Sequence, residues 1–216
     1  MTNPLLIVFS GAQGCGKDTA IDHLLTVLSF KRAECKESLH TATMALFGVD
    51  EQTYWKIYSD RSRKSTPNTL FNITDQEATR LREFLGVLKY QGATVQKGFF
   101  PLTIREAIIY TSELVMKPMF GQDVFGLRRA HKLEEGGLYL DGSFGFVEEL
   151  IPAIDKLGQE NILGIRILGR SDGDIDSRVI LPDGLLQNTV DIWNGDDVTL
   201  EEYLSKVRKE VVEWVL

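Results

Sequence analysis

Residues 10–19 read SGAQGCGKDT and contain the pattern Gly-x-x-x-x-Gly-Lys, which is typical of a phosphate-binding loop. Glycines let the backbone curl, so that successive N–H groups can point inward at phosphate oxygens. Lys17 would add an ammonium group near the β- and γ-phosphates. A glycine-rich packing turn without a ligand is the alternative, but it gives no reason for a lysine at the mouth of a helix.

The segments on either side of this loop give the motif its expected context. Leu5–Phe9 is a continuous apolar run, which predicts a buried parallel strand. After the loop, Ile21, Leu24 and Leu28 share one face of a predicted amphipathic helix. The helix would direct its partly positive N-terminus at a bound phosphate.

Asp18 stands where such loops usually carry Ser or Thr, whose hydroxyl binds magnesium. A carboxylate can also attract Mg²⁺, directly or through water. It can equally stabilise the helix N-terminus without any metal, and both interpretations stay open. Thr19 offers a hydroxyl one residue later, so Asp18 and Thr19 are the candidate metal ligands. Cys15 is interpreted as a small filler of the loop.

The rest of the chain alternates apolar runs with amphipathic segments. Further strands are predicted at 138–141, 162–168 and 190–193, and less clearly within 30–35, while residues 36–130 mostly indicate helices and loops. Thr199 and Glu202 form a capping box that starts a C-terminal helix with a stripe of Leu200, Leu204, Val207 and Val211. This alternation predicts an α/β fold with a mostly parallel central sheet covered on both faces.

Composition limits the class of protein. A chain of 216 residues with a net charge of −7 predicts one acidic domain and argues against a dedicated nucleic-acid-binding protein. Two cysteines make no disulfide framework, and the apolar run at 5–9 is too short to span a membrane. We therefore expect a cytoplasmic protein without a membrane partner. The C-terminal residues VVEWVL could pack on the core or on a second copy, as in a homodimer.

Phosphate loops occur in GTPases, motor ATPases and small-molecule kinases. The Asn-Lys-x-Asp string of a GTPase is absent from this sequence. A kinase needs an acid that handles magnesium, and Asp141 at the end of an apolar run suits that role, although a turn carboxylate before Gly142 is the alternative. Arg128 and Arg129 lie in a glycine-flanked segment that could close as a lid over the transferring phosphoryl group.

The order of several short segments adds a family resemblance. After GAQGCGKDT come ECKESLHTATMALFG, DRSRKSTP, LTIREAI, FGQDVFGLRR, LYLDGSFGFVEEL, DIDSR and DIWNGDDVTLEEYL. In this order and spacing, the chain resembles the bacteriophage-type deoxynucleoside monophosphate kinases, a branch of the P-loop nucleotide kinases. The resemblance covers most of the chain, and only its first segment is specific when taken alone.

The resemblance implies a P-loop kinase-like three-layer fold over residues 1–216, with a helical monophosphate-binding region at about 36–110 and a lid at about 119–133. It implies ATP-dependent phosphorylation of a deoxynucleoside monophosphate, with Mg²⁺, in the cytoplasm of a host if a phage encodes the chain. Lys17, Arg128, Arg129 and Asp141 would be catalytic. The ATP site would comprise Gly11, Ala12, Gly14, Cys15, Gly16, Lys17, Asp18 and Thr19, and the acceptor site Lys36, Arg61, Lys64, Arg105, Ser143 and Glu148.

One departure from the family pattern affects the acceptor site. The family often has an arginine two residues after the strand-end aspartate, and Ser143 stands there instead.

Two other functions stay open. The Gly-Lys-Asp ending also resembles kinases of the phosphomevalonate type, which act on another small phosphorylated metabolite. Alternatively, a regulatory protein could bind ATP without catalysis, with Asp18 and Ser143 as signs of lost chemistry.

Overall fold

The computed structural model describes residues 3–60, 62–86, 98–170 and 180–216. The chain divides into two units, one comprising Met1–Lys36 with Gln122–Leu216 and the other comprising Glu37–Gly121. Two predicted features, the acceptor-site residue Arg61 and the segment DIDSR at 174–178, lie outside the described residues.

The strands and helices follow the chain in this order. The strands are β1 (Leu5–Gly11), β2 (Lys31–Arg32), β3 (Asn68–Ile73), β4 (Phe100–Leu102), β5 (Leu138–Asp141), β6 (Ile162–Gly169) and β7 (Asn188–Asn194). The helices are α1 (Lys17–Val27), α2 (Lys36–Phe47), α3 (Glu51–Ser59), α4 (Asp75–Leu85), α5 (Ile104–Ile109), α6 (Lys117–Phe120), α7 (Val124–Lys132), α8 (Ile151–Leu157) and α9 (Leu200–Val215). The π-helical segment Tyr110–Met116 joins α5 to α6.

A parallel sheet forms the centre of the first unit. Among the described residues it has five strands in the order β2-β5-β1-β6-β7, and every neighbouring pair is parallel. The strands predicted at 138–141, 162–168 and 190–193 are confirmed as β5, β6 and β7. The weaker prediction within 30–35 corresponds to β2, which is only two residues long.

Helices cover this sheet on both faces, which confirms the predicted α/β class. Alternate residues of β1 belong to two different cores, as the geometry of a strand requires. Ile7 and Phe9 pack with the buried sides of α1 and α9, whereas Leu6 and Val8 pack with α8 and its neighbouring loops. Because β1 is central and buried on both faces, its sequence is apolar throughout rather than alternating.

The start of α9 agrees with the prediction from the sequence, but one member of its predicted apolar stripe is different. The predicted capping box between Thr199 and Glu202 is present. Leu200, however, is 60% exposed and does not belong to the stripe. Tyr203 is buried in its place, together with Val207 and Val211, because it lies one helical turn before Val207.

The second unit contains a strand pair that the sequence did not predict. Within residues 36–130, the helices α2 to α7 fit the expectation of a helical region, but β3 and β4 pair antiparallel. These strands are short and α4 intervenes between them, so no local turn pattern marks their pairing. Phe71 of β3 and Leu102 of β4 are fully buried in this unit's own core.

Within the part of the chain that the structure describes, none of the helices combines the length and the apolar character needed to cross a membrane.

Candidate phosphate-binding site

The glycine-rich loop lies where the sequence placed it, between β1 and α1. β1 ends at Gly11, and α1 begins at Lys17 after Gly16, which has a φ of 103° and a ψ of 13°. Gly14 has a φ of 80°, and this left-handed region favours glycine. No side chain caps the N-terminus of α1 at Gly16. The first N–H groups of a helix lack partners within the helix, so an anion could accept from them here.

The side chain of Lys17 folds back into the loop. Its Nζ donates to the carbonyl oxygens of Gly11 at 2.6 Å and Ala12 at 2.8 Å, and it lies 3.6 Å from Cys15 Sγ. The residue is only 8% exposed. A buried lysine usually has a carboxylate partner, but these contacts are with neutral groups. The loop therefore holds a poorly neutralised positive charge next to a helix N-terminus, an arrangement that favours binding of an anion.

Two buried side chains that the sequence did not predict donate hydrogen bonds to carbonyl groups of the loop. Asn194 Nδ2 donates to the carbonyl oxygen of Cys15 at 2.8 Å, and the Tyr203 hydroxyl donates to that of Gly16 at 3.0 Å. The available signal was that Asn194 follows a predicted strand, and parallel strands end at the same edge of the sheet. No local pattern marked Tyr203, which contacts the loop although it lies far along the chain from it.

Asp141 ends β5 as predicted, but its carboxylate is fully buried and engaged by other side chains. Arg129 donates one hydrogen bond to Oδ2 of Asp141 and another, of 2.7 Å, to the carbonyl oxygen of Glu149. The amide and hydroxyl of Ser143 both donate to Oδ1 of Asp141 at 2.7 Å. Both charged side chains are 0% exposed. Asp141 and Ser143 therefore contribute to an internal network.

The two arginines predicted as lid cations differ in their surroundings. Arg128 is exposed on α7, as a cation that approaches a phosphate must be. Arg129 is buried instead, because its guanidinium satisfies the carboxylate of Asp141 in the interior. This burial departs from the expectation of an accessible lid cation at Arg129. That residues 119–133 form a lid stays a prediction.

The same network includes two further residues. The thiol of Cys35 lies 3.8 Å from Asp141 Oδ2, and burial raises the pKa of this thiol well above its ordinary value. Glu149 is buried beside the arginine, whereas Glu148, the residue predicted for the acceptor site, is exposed. The 3₁₀ turn Val147–Glu149 carries both glutamates, so a difference of one position separates an exposed carboxylate from a buried one.

The acidic side chains near the loop include Glu34, which follows β2. Burial raises the pKa of Glu34, the negative charges of Asp141 and Asp18 raise it further, and the hydrogen bond from Arg32 opposes the shift.

Asp18, a candidate metal ligand, is exposed in the first turn of α1, and so is Thr19. Among the described residues, no group of three or more His, Cys, Asp or Glu side chains could hold a metal ion. Mg²⁺ commonly uses one or two carboxylates with water and substrate phosphates, and Asp18 fits that pattern.

The remaining acceptor-site candidates belong to different units. Lys36 is the first residue of α2 and belongs to the first unit. Lys64 and Arg105 belong to the second unit. Lys64 Nζ lies 3.6 Å from the centre of the Tyr58 ring, and Arg105 is exposed in the first turn of α5. Their part in binding an acceptor stays a prediction.

Comparison of the chain with protein-family models and with curated proteins gives no match. The resemblance to the bacteriophage-type kinases therefore depends on the sequence segments alone.

Removing Arg129 should strongly destabilise the fold. Arg129→Met leaves the buried carboxylate of Asp141 without its cation, and breaking such a pair typically costs about 3–5 kcal/mol of unfolding free energy. Arg128→Met, one position earlier in α7 and exposed, should cost less than about 0.5 kcal/mol. Urea unfolding of both variants measures the difference. Equal stability of the two variants would contradict the assigned burial of Arg129.

Replacing Glu34 should stabilise the protein at neutral pH. Its folded-state pKa is raised above the unfolded value of about 4.3, so ionised Glu34 opposes folding above the folded-state pKa. Glu34→Gln removes that cost at pH 7, and its advantage should disappear as the pH falls below about 4, where Glu34 is protonated in both states. Urea unfolding of both proteins from pH 3.5 to 8 measures this. A stability difference that does not change with pH would be inconsistent with the raised pKa.

Proposed function

We propose that this protein is a kinase that transfers the γ-phosphoryl group of ATP to a deoxynucleoside monophosphate, giving ADP and a deoxynucleoside diphosphate. The observation that carries the proposal is Lys17, whose buried ammonium lies inside a glycine-rich loop between a central parallel strand and a helix. This is the strand–loop–helix context that the phosphate-loop motif requires.

The fold of the first unit supports the proposal. A parallel sheet covered by helices on both faces is compatible with the three-layer fold of P-loop kinases. The loop follows the C-terminal end of the central strand β1, and ligands of open parallel sheets bind at that edge. On this proposal, most of the second unit, Glu37–Gly121, serves as the monophosphate-binding region, and residues 119–133 serve as the lid.

The proposed chemistry requires positioning and charge neutralisation more than proton transfer. An oxygen of the acceptor monophosphate attacks the γ-phosphorus in line with the bond to ADP, and it is already ionised at neutral pH. The loop N–H groups and Lys17 would hold the donor phosphates, and exposed Arg128 is available to approach the transferring group. Asp18 would help to hold Mg²⁺, which neutralises phosphate charge.

The choice of acceptor depends on the sequence resemblance. The segments after the loop have the order and spacing found in kinases of deoxynucleoside monophosphates, and they supply Lys36, Lys64 and Arg105 as cations for an acceptor phosphate. A panel of acceptors tests this choice. It should contain the four deoxynucleoside monophosphates, their ribonucleotide counterparts and phosphomevalonate.

In a coupled ADP-release assay with this panel, we expect turnover with one or more deoxynucleoside monophosphates. Lys17→Ala should lower it at least about a hundredfold, because it removes the loop's ammonium, which in the proposed reaction neutralises charge on the transferring phosphate. Lys209→Ala changes a 66% exposed lysine of α9 and should retain wild-type turnover. Thermal unfolding verifies that both variants fold.

Two results would count against the proposal. Near-wild-type turnover by folded Lys17→Ala would exclude the loop as the donor site. Turnover only with phosphomevalonate would keep the kinase but replace the proposed acceptor.

A further inference from the structure

We propose that Asn194 and Tyr203 are positioning residues that aim the N–H groups of Gly16 and Lys17 at the phosphates of the donor. The inference rests on the proposed function, because it takes the triphosphate of ATP as the ligand of the loop. It adds two residues to the site from β7 and α9, which lie far along the chain from the loop itself.

Asn194 and Tyr203 hold the carbonyl groups of two consecutive peptide groups of the loop. In a planar trans peptide, the C=O and N–H bonds point in opposite directions. Asn194 holds the carbonyl of Cys15, so the N–H of Gly16 in the same peptide group points away from Asn194. Tyr203 holds the carbonyl of Gly16, so the N–H of Lys17 points away from Tyr203. The amide of Ala20 also donates to the Gly16 carbonyl, at 3.0 Å.

The backbone conformation turns these two N–H groups into an anion site. Gly16 is left-handed, and Lys17 begins the right-handed helix α1. Successive residues of opposite hand form a concave nest of N–H groups that binds anions. The ammonium of Lys17 adds its positive charge at the loop, since its Nζ donates a hydrogen bond to the carbonyl oxygen of Gly11.

The two positioning residues leave no room for a side chain at Gly16. A Cβ atom on Gly16 would lie 2.7 Å from Asn194 Nδ2 and 3.4 Å from the Tyr203 ring and hydroxyl. The absence of a side chain at Gly16 therefore does more than permit a positive φ. It lets both donors reach the carbonyl oxygens of Cys15 and Gly16.

The two donors are themselves held firmly. Asn194 is 5% exposed and ends β7, and Tyr203 is 1% exposed in the first turn of α9. Next to Asn194, Trp193 Nε1 donates to Asp197 Oδ1 at 2.9 Å, and the capping box at Thr199 fixes the start of α9. Burial raises the pKa of Tyr203, so its hydroxyl stays protonated and able to donate at neutral pH.

The test measures binding of Mg·ATP and of inorganic tripolyphosphate by calorimetry. Tyr203→Phe removes only the hydroxyl, and Asn194→Leu removes the donor at similar size. Each variant should bind both probes about three- to tenfold more weakly, the effect of losing one hydrogen bond that holds a binding group. The matched control is Tyr139→Phe, which removes a buried hydroxyl bonded to the Glu134 amide near the opposite end of the sheet. The control should bind like the wild type.

A second readout separates aiming from simple stability. In ¹⁵N-resolved NMR spectra, Mg·ATP should move the amide protons of Gly16 and Lys17 downfield in the wild type, because these protons become donors to phosphate. Tyr203→Phe should reduce the shift of Lys17 most, since its hydroxyl holds the same peptide group. A structural role alone would lower the melting temperature and leave these shifts unchanged.

The outcomes distinguish this inference from the proposed function. If the wild type binds Mg·ATP and tripolyphosphate but Tyr203→Phe binds both with equal affinity and equal amide shifts, the positioning role is wrong and the kinase proposal stands. If the wild type binds neither probe, the proposed function fails, and the positioning role fails with it.

Discussion

The ammonium of Lys17 is a positive charge held among neutral groups of the loop, between β1 and α1. The loop follows the end of the central strand β1 at the edge of the sheet, and Lys17 is the first residue of α1. Burying a cation among carbonyls is costly unless something compensates for the lost hydration. An anion that accepts from the loop N–H groups would supply that compensation, so the geometry is better suited to a ligand than to packing alone.

A second constraint lies at the end of β5, where Arg129 and Asp141 form a buried ion pair. This pair joins α7 to the sheet. Gly126 lets α7 pack closely on the turn Val147–Glu149, since a Cβ there would lie 2.3 Å from the carbonyl oxygen of Glu149. Arg129 is buried by this pair, whereas Arg128, the preceding residue of α7, is exposed.

The sequence was most informative where a local pattern determines the structure. The apolar run of β1, the glycine loop and the capping box at Thr199 each appear as predicted, because each depends on residues close together in the chain. The pairing of β3 with β4 was not predicted, because it joins short strands separated by a helix. The burial of Arg129 depends on a carboxylate twelve residues away on another element. The donors at Asn194 and Tyr203 were missed for the same reason, since they reach the loop only through the fold.

In the proposed reaction, the loop presents ATP for transfer of its γ-phosphoryl group to a deoxynucleoside monophosphate. The most direct measurement follows the label of γ-³²P-ATP by thin-layer chromatography after incubation with the protein, Mg²⁺ and an equimolar mixture of the four deoxynucleoside monophosphates. We expect the label to move into a deoxynucleoside diphosphate. Label that stays in ATP, or appears only as inorganic phosphate, would contradict the proposed function.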